Sequence, residues 1–156
     1  MKLSVKQMSG LLFLMELARR PGRPASLHNI SVSQGISARS MEQFIRPFQA
    51  AELIQSVRGP KGGYLLARKP ESITVGTVLR LLDGMPEEIV CEAKPADCSR
   101  RDSRVVLYTW RMAVQSMLDY MDGITLADLE LASPLGQKAL EVCLSCSTDK
   151  GRAEGG

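Results

Sequence analysis

Long apolar runs are missing from this sequence. Nothing in it approaches the roughly 18 uninterrupted apolar residues that a membrane span needs, which excludes a helical membrane protein. The opening, Met1-Lys2-Leu3-Ser4-Val5-Lys6-Gln7, is too polar for the apolar region of a secretory signal, so the chain is expected in the cytoplasm. Cysteine is sparse as well. Four cysteines are too few for a disulfide scaffold, and in a reducing compartment they point to metal binding or redox sensing. The single histidine, His28, leaves little room for histidine-based catalysis or metal chemistry, and is expected to face solvent or a phosphate. No nucleophile–base pair, P-loop or dinucleotide fingerprint is present, so the chain does not read as an enzyme. Asp119 and Asp122 read as the polar face and C-terminal end of a helix rather than a catalytic dyad.

Acidic residues are scarce in one half only. Residues 1–70 hold 11 Lys/Arg against 3 Asp/Glu, a balance of +8, whereas residues 71–156 hold 9 against 14, a balance of −5. A basic half joined to an acidic half predicts that the first faces a polyanion and the second does not. At 156 residues, with 44% hydrophobic and 24% charged residues, the chain is an ordinary globular one able to bury a sizeable core.

Local signals partition the first half. Val5, Met8, Leu11, Leu12 and Met15 recur at 3-3-1-3 spacing and predict an amphipathic helix over about 4–19, ended by Arg20-Pro21-Gly22-Arg23-Pro24. Ser26 can cap a short helix holding Leu27 and Ile30. Gln34-Gly35-Ile36-Ser37 makes a turn, and Ser37 can cap a third helix with Met41, Phe44, Ile45 and Phe48 inside. Two short helices joined by a Gly-containing turn form a helix-turn-helix. Gln55-Ser56-Val57-Arg58 and Tyr64-Leu65-Leu66-Ala67 then flank a Gly/Pro-rich tip, so a β-hairpin, or wing, follows.

The second half reads differently. Thr74 caps a helix from Val75 to Asp83, ended by Gly84. Residues 85–102 show no period and read as a loop carrying Cys91 and Cys98. From about Ser103 to Asp122, Val106, Trp110, Ala113, Met117 and Tyr120 recur at 4-3-4-3, which gives a long helix with one apolar seam that wants a partner. Trp110 and the methionines Met8, Met15, Met112, Met117 and Met121 read as core and seam residues. Thr125-Leu126-Ala127-Asp128 is a capping box for a further short helix, and Pro134 starts a last helix reaching Cys143 and Cys146. The fold class is thus mainly α with a small β-hairpin wing: a winged helix-turn-helix plus a long C-terminal dimerisation helix. Its parts are a winged-helix domain (1–84), a cysteine-bearing loop (85–102), a dimerisation helix with C-terminal helices (103–147) and a disordered tail (148–156).

The candidate DNA-reading residues lie at the start of the third helix, whose N-terminal turns enter the major groove in such motifs. Arg39 can pair with guanine and Glu42 can accept from cytosine, while Ser40 and Gln43 adapt to several partners. Arg46 could hold a phosphate, and on the wing Arg58 and Lys61 flank a slim glycine-rich backbone. The plainer reading, a solvated basic face, does not account for the helix pattern, wing and charge together.

Ser56-Val57-Arg58-Gly59-Pro60-Lys61-Gly62-Gly63-Tyr64 with Ile73-Thr74-Val75-Gly76 resembles the wing and following helix of the IscR/NsrR/CymR family of bacterial regulators, the Rrf-two family. Met1-Lys2-Leu3-Ser4, the Gln34–Ser37 turn, Met41-Glu42-Gln43 and Ile124-Thr125-Leu126-Ala127-Asp128-Leu129 are similar too, so the likeness covers about residues 1–130. It implies a homodimer on pseudo-palindromic promoter DNA, its long helix crossed or swapped between subunits. It also implies Arg39, Ser40 and Glu42 as base readers and Arg58 as a minor-groove residue.

Cluster-binding members of that family carry three cysteines spaced Cys-x5-Cys-x5-Cys. Here Cys91 and Cys98 stand at x6, and Arg104 holds the third place. An arginine cannot replace a thiolate ligand. Three readings stay open. Cys143 and Cys146 could complete a four-cysteine metal or [2Fe-2S] site with Cys91 and Cys98. The loop pair could instead hold a cluster with non-cysteine ligands from a partner subunit. In the third, the thiols sense oxidants or are inert. The functional expectation is a homodimeric DNA-binding transcription regulator modulated by a cluster or by thiol redox state. Its rival is an iron–sulfur or thiol redox protein, or a cluster carrier, with a vestigial DNA-binding domain.

Overall fold

The computed structural model describes residues 3–83, 101–130 and 132–149. Helix α1 (Val5–Ala18) begins with a complete capping box: Ser4 Oγ accepts from the Gln7 amide, and Gln7 Oε1 accepts from the Ser4 amide, both at 3.0 Å. Its buried face differs from the stripe the spacing suggested. Val5 is 85% exposed and Met8 50% exposed, while Gly10, Phe13, Leu14 and Leu17 are buried. Gly10 decides the face, because even an added Cβ there would come within 2.5 Å of a Leu82 methyl.

Ser26 caps α2 (Leu27–Gln34), accepting from the Asn29 amide at 3.2 Å. Gly35 ends it in the left-handed conformation, and Ser37 caps α3 (Ala38–Ala50) from two residues further on. Phe13 of α1 meets Phe44 edge-on at 5.3 Å between ring centroids, and Phe44 lies 5.4 Å from Phe48. Around these rings gather Ile30, Met41, Leu53, Ile73, Val78 and Leu126, all nearly inaccessible.

Strands β1 (Ile54–Val57) and β2 (Gly63–Leu66) pair antiparallel, Ile54 opposite Leu66 and Val57 opposite Gly63, each one residue earlier than the sequence suggested. Ala25 extends the sheet. Its N–H and C=O exchange bonds with Tyr64, both at 2.9 Å, and anchor the wing to the start of α2. Gly63 permits this: a Cβ there would stand 2.3 Å from the Ala25 carbonyl oxygen.

Thr74 caps α4 (Val75–Asp83), accepting from the Thr77 amide. Helix α5 (Arg101–Gly123) starts slightly before the expected position. After it, the Val75 amide donates to the Ile124 carbonyl and the Leu126 amide to the Ile73 carbonyl, both at 2.8 Å. The Thr125–Asp128 box is present, but it closes a hydrogen-bonded turn rather than opening a helix. Helix α6 spans Pro134–Asp149. No described helix is long and apolar enough to cross a membrane.

Candidate nucleic-acid interface

Helical geometry sorts the side chains of α3 into two faces. Met41, Phe44, Ile45 and Phe48 point into the core, whereas Arg39, Glu42, Gln43 and Arg46 are exposed on the opposite side. Four of the five α3 residues selected from sequence thus share one open face. Ser40 sits at its flank, half-buried, with its hydroxyl 2.7 Å from that of the cap residue Ser37. Ser37 itself is exposed and accepts from the Ser40 amide at 3.1 Å. Sequence reasoning treated it only as a cap. The structure makes it the residue that orients Ser40 at the entry to the reading helix.

The turn before α3 is held from the opposite side. Glu16 of α1 is 5% exposed, yet it carries a carboxylate. It accepts from the Gln34 side-chain amide at 2.9 Å and pairs with Arg20 at 2.6 Å and Arg19 at 3.6 Å. Such burial is tolerated because donors surround the carboxylate. Gln34 is the last residue of α2, so the helix-turn-helix corner is tied to α1 at that point. On the wing, Arg58 and Lys61 are exposed at the hairpin tip, as Gly59 and Pro60 are. No acidic group pairs with Arg39, Arg46, Arg58 or Lys61 among the described ion pairs, so these four cations are open to phosphates and base edges. His28 is exposed on the first turn of α2.

The long helix presents a second open face. Val106 (68%), Trp110 (62%) and Tyr120 (58%) are exposed, with Ala113 also exposed and Met117 partly covered between them. The side that packs on the winged domain is a quarter-turn away, through Leu118 and Met121.

Cys91 and Cys98 lie outside the described residues. Cys143 and Cys146 fall on α6, three residues apart and therefore within one turn. Among the described residues, no group of three or more His, Cys, Asp or Glu converges on a metal-sized site. Arg104 is exposed on the first turns of α5. A guanidinium offers no lone pair to iron, so Arg104 cannot serve as a thiolate-type ligand.

Comparison with known proteins places this geometry. The Rrf2 family model, described as an iron-dependent transcriptional regulator, matches residues 3–130. The HTH-type transcriptional regulator CymR of Bacillus subtilis is 34% identical over 132 residues, covering 83% of this chain and 89% of that protein. The HTH-type regulator IscR of Sodalis glossinidius is 34% identical over 130 residues, covering 83% and 78%. Among solved structures, CymR, described as the global cysteine regulator of B. subtilis, aligns with a TM-score of 0.67 at 32% identity, covering 83% of this chain and 95% of that one. T. potens IscR aligns with a TM-score of 0.65 at 35% identity, covering 83% and 85%. The fold, its open reading helix and these relatives define a DNA-binding regulator of transcription rather than an enzyme, and do not favour a redox protein or cluster carrier. The chain belongs to the Rrf2 family.

Proposed function

We propose that this protein is a cytoplasmic homodimer that binds pseudo-palindromic promoter DNA and changes its affinity with the state of its cysteine thiols. The observation that carries the DNA-binding part is the shared open face of Arg39, Glu42, Gln43 and Arg46 beside a wing tipped by Arg58 and Lys61. Arg39, Glu42 and Gln43 read bases in the major groove. Ser40 contributes from the flank of that face, Arg46 and Lys61 hold phosphates, and Arg58 enters the adjoining minor groove. The seam Val106–Trp110–Ala113–Met117–Tyr120 supports the dimer, because a heptad-spaced apolar face left open on one chain is covered by the same face of a second copy.

For regulation, Arg104 in the place of a third cysteine favours thiol chemistry over a bound cluster. The thiols concerned are Cys91 and Cys98 before α5 and Cys143 and Cys146 on α6. Oxidation of a pair removes two electrons and two protons to a peroxide-class oxidant and leaves a disulfide.

Selection of duplexes from a random DNA pool, followed by titration of the enriched sequence, tests the reading. Arg39→Ala is expected to cost about 1–3 kcal/mol and to relax preference at one base position, while Lys61→Ala lowers the salt slope by about one. Unchanged affinity in both variants would remove the assigned interface. Protein purified without oxygen is expected to be colourless. Broad absorption at roughly 320–420 nm with matching iron and sulfide would replace the thiol mechanism with a cluster and leave the DNA reading standing.

A further inference from the structure

Among the described residues, helix α5 meets the DNA-reading domain near its C-terminal end. Its C-terminal end is held by the two backbone bonds that join 73–75 to 124–126. Beside them Val75 and Leu79 form a small second core with Leu118, Met121, Ile124 and Leu129. Toward its N-terminus Val105, Val106, Tyr108 and Trp110 are all more than half exposed. From Asp122 back to Arg101 the helix is about 32 Å long, so a tilt of about 5° at the junction moves its far end by about 3 Å.

Two hydrogen bonds of one isolated bridge define a line about which a helix can still tilt, and apolar contacts such as Leu79 against Leu118 and Met121 can slide. A directional contact off that line is needed to fix the angle. Arg80 on α4 supplies it: its guanidinium, 35% exposed, donates to the Asp122 carboxylate, 41% exposed, in the last turn of α5, a contact that acts through its direction rather than its strength. Gly76, one turn earlier on α4, leaves the room. A Cβ at that position would lie 2.1 Å from Asp122 Oδ1. Asp122, which the sequence offers only as a polar helix end, thus lies against α4.

We propose that Arg80 and Asp122 are a positioning pair that sets the half-site spacing this regulator accepts. The pair touches no base. It fixes the angle between the dimer helix and the reading domain, and through that angle the separation of two recognition helices. The inference rests on the homodimer reading above. Each base pair added between half-sites moves the second by about 3.4 Å and turns it by about 35°. A locked junction cannot follow that change, whereas a loosened one can.

The test is selection from a random duplex pool with the full-length wild type, Arg80→Met and Asp122→Asn, each first shown by thermal melting and light scattering to be folded and dimeric. Wild type is expected to enrich an inverted repeat at one spacing, with neighbouring spacings about tenfold less enriched. In the variants that ratio falls to about threefold or less while the half-site sequence stays the same. The exchanged pair Arg80→Asp with Asp122→Arg restores the single spacing. Variants that keep the wild-type spacing ratio would overturn the proposal. So would folded, dimeric variants that enrich nothing, because the pair would then act on binding itself. A monomeric wild type, or one enriching single half-sites, would instead sink the homodimer reading.

Discussion

Gln34, the last residue of α2, donates its side-chain amide to the buried carboxylate of Glu16 at 2.9 Å, fastening the corner of the helix-turn-helix to α1. Arg20 and Arg19 complete the donor set from the next turn, but each is about 40% exposed and contributes little beyond solvating the carboxylate. Glu16→Ala is expected to destabilise the protein by about 1–3 kcal/mol, chiefly through the lost charge-assisted bond and the Gln34 amide left without its acceptor. Urea denaturation measures this. A midpoint and slope equal to wild type would show that the corner holds without the clamp.

Glu52 closes α3 in the left-handed region, with φ of 54°, and is the described non-glycine residue that does so. The Leu53 amide reaches back to the Phe48 carbonyl at 2.9 Å across this turn. The side chain gives little in return, since its contact with Arg68 is 3.7 Å long and Glu52 is 82% exposed. Glu52→Gly is therefore expected to stabilise the domain by about 0.5–1 kcal/mol, the relief of left-handed strain outweighing the added freedom of the unfolded chain. Operator affinity should not change. A lower denaturation midpoint would mean that the ion pair or the stiffer unfolded chain matters more than the strain.

The reach of sequence reasoning follows from the range of each interaction. Ser26, Gly35, Ser37 and Thr74 bond to backbone within four residues, so their types and spacing announced the helix ends directly. The glycines of the wing did the same for the hairpin. The face of α1 was not legible in that way. The helix is apolar on most sides, and two stripes compete; Gly10 settles the matter by letting Leu82 and Phe48 approach, which only the tertiary structure reveals. Arg80 and Asp122 stand 42 residues apart, and nothing local in either segment signals the other. The reading helix was legible because its buried and open faces alternate with a clean helical period. Ser40 lies at the boundary between them, where that period decides least.

Asp128 titrates below the ordinary carboxylate range. The Thr125 hydroxyl donates to its Oδ2 at 2.6 Å, and the Thr125 amide donates to the same oxygen at 2.9 Å, so both stabilise the charged form; desolvation opposes them weakly. A carboxylate depressed on folding contributes stability that is fully present above its unfolded value, near 3.8, and is lost as pH falls through the depressed folded value. Thr125→Ala is expected to move the Asp128 titration, followed by NMR, up toward the ordinary range. It should also flatten the acid limb of the stability curve below about pH 4. An unmoved titration would assign the depression to other groups.

Trp110 stands at the centre of the open seam of α5, 62% exposed in one chain, one turn from Val106 and from Ala113. An indole of this size covers about 150–250 Å² when buried, so it would dominate a helix–helix contact. Trp110→Asp puts a charge there at no expense to the core of its own chain. Its expected effect is to weaken dimerisation at least about tenfold while leaving the helical content of the winged domain intact. Sedimentation velocity across a concentration series reads the first effect and circular dichroism the second. DNA titration should follow the dimer: affinity for an inverted repeat falls while weak binding to a single half-site persists, because the Arg39 face is unchanged. A variant that stays dimeric at low concentration would move the interface elsewhere, and the exposed apolar side chains of α1, Val5 and Met8, would be the next to test.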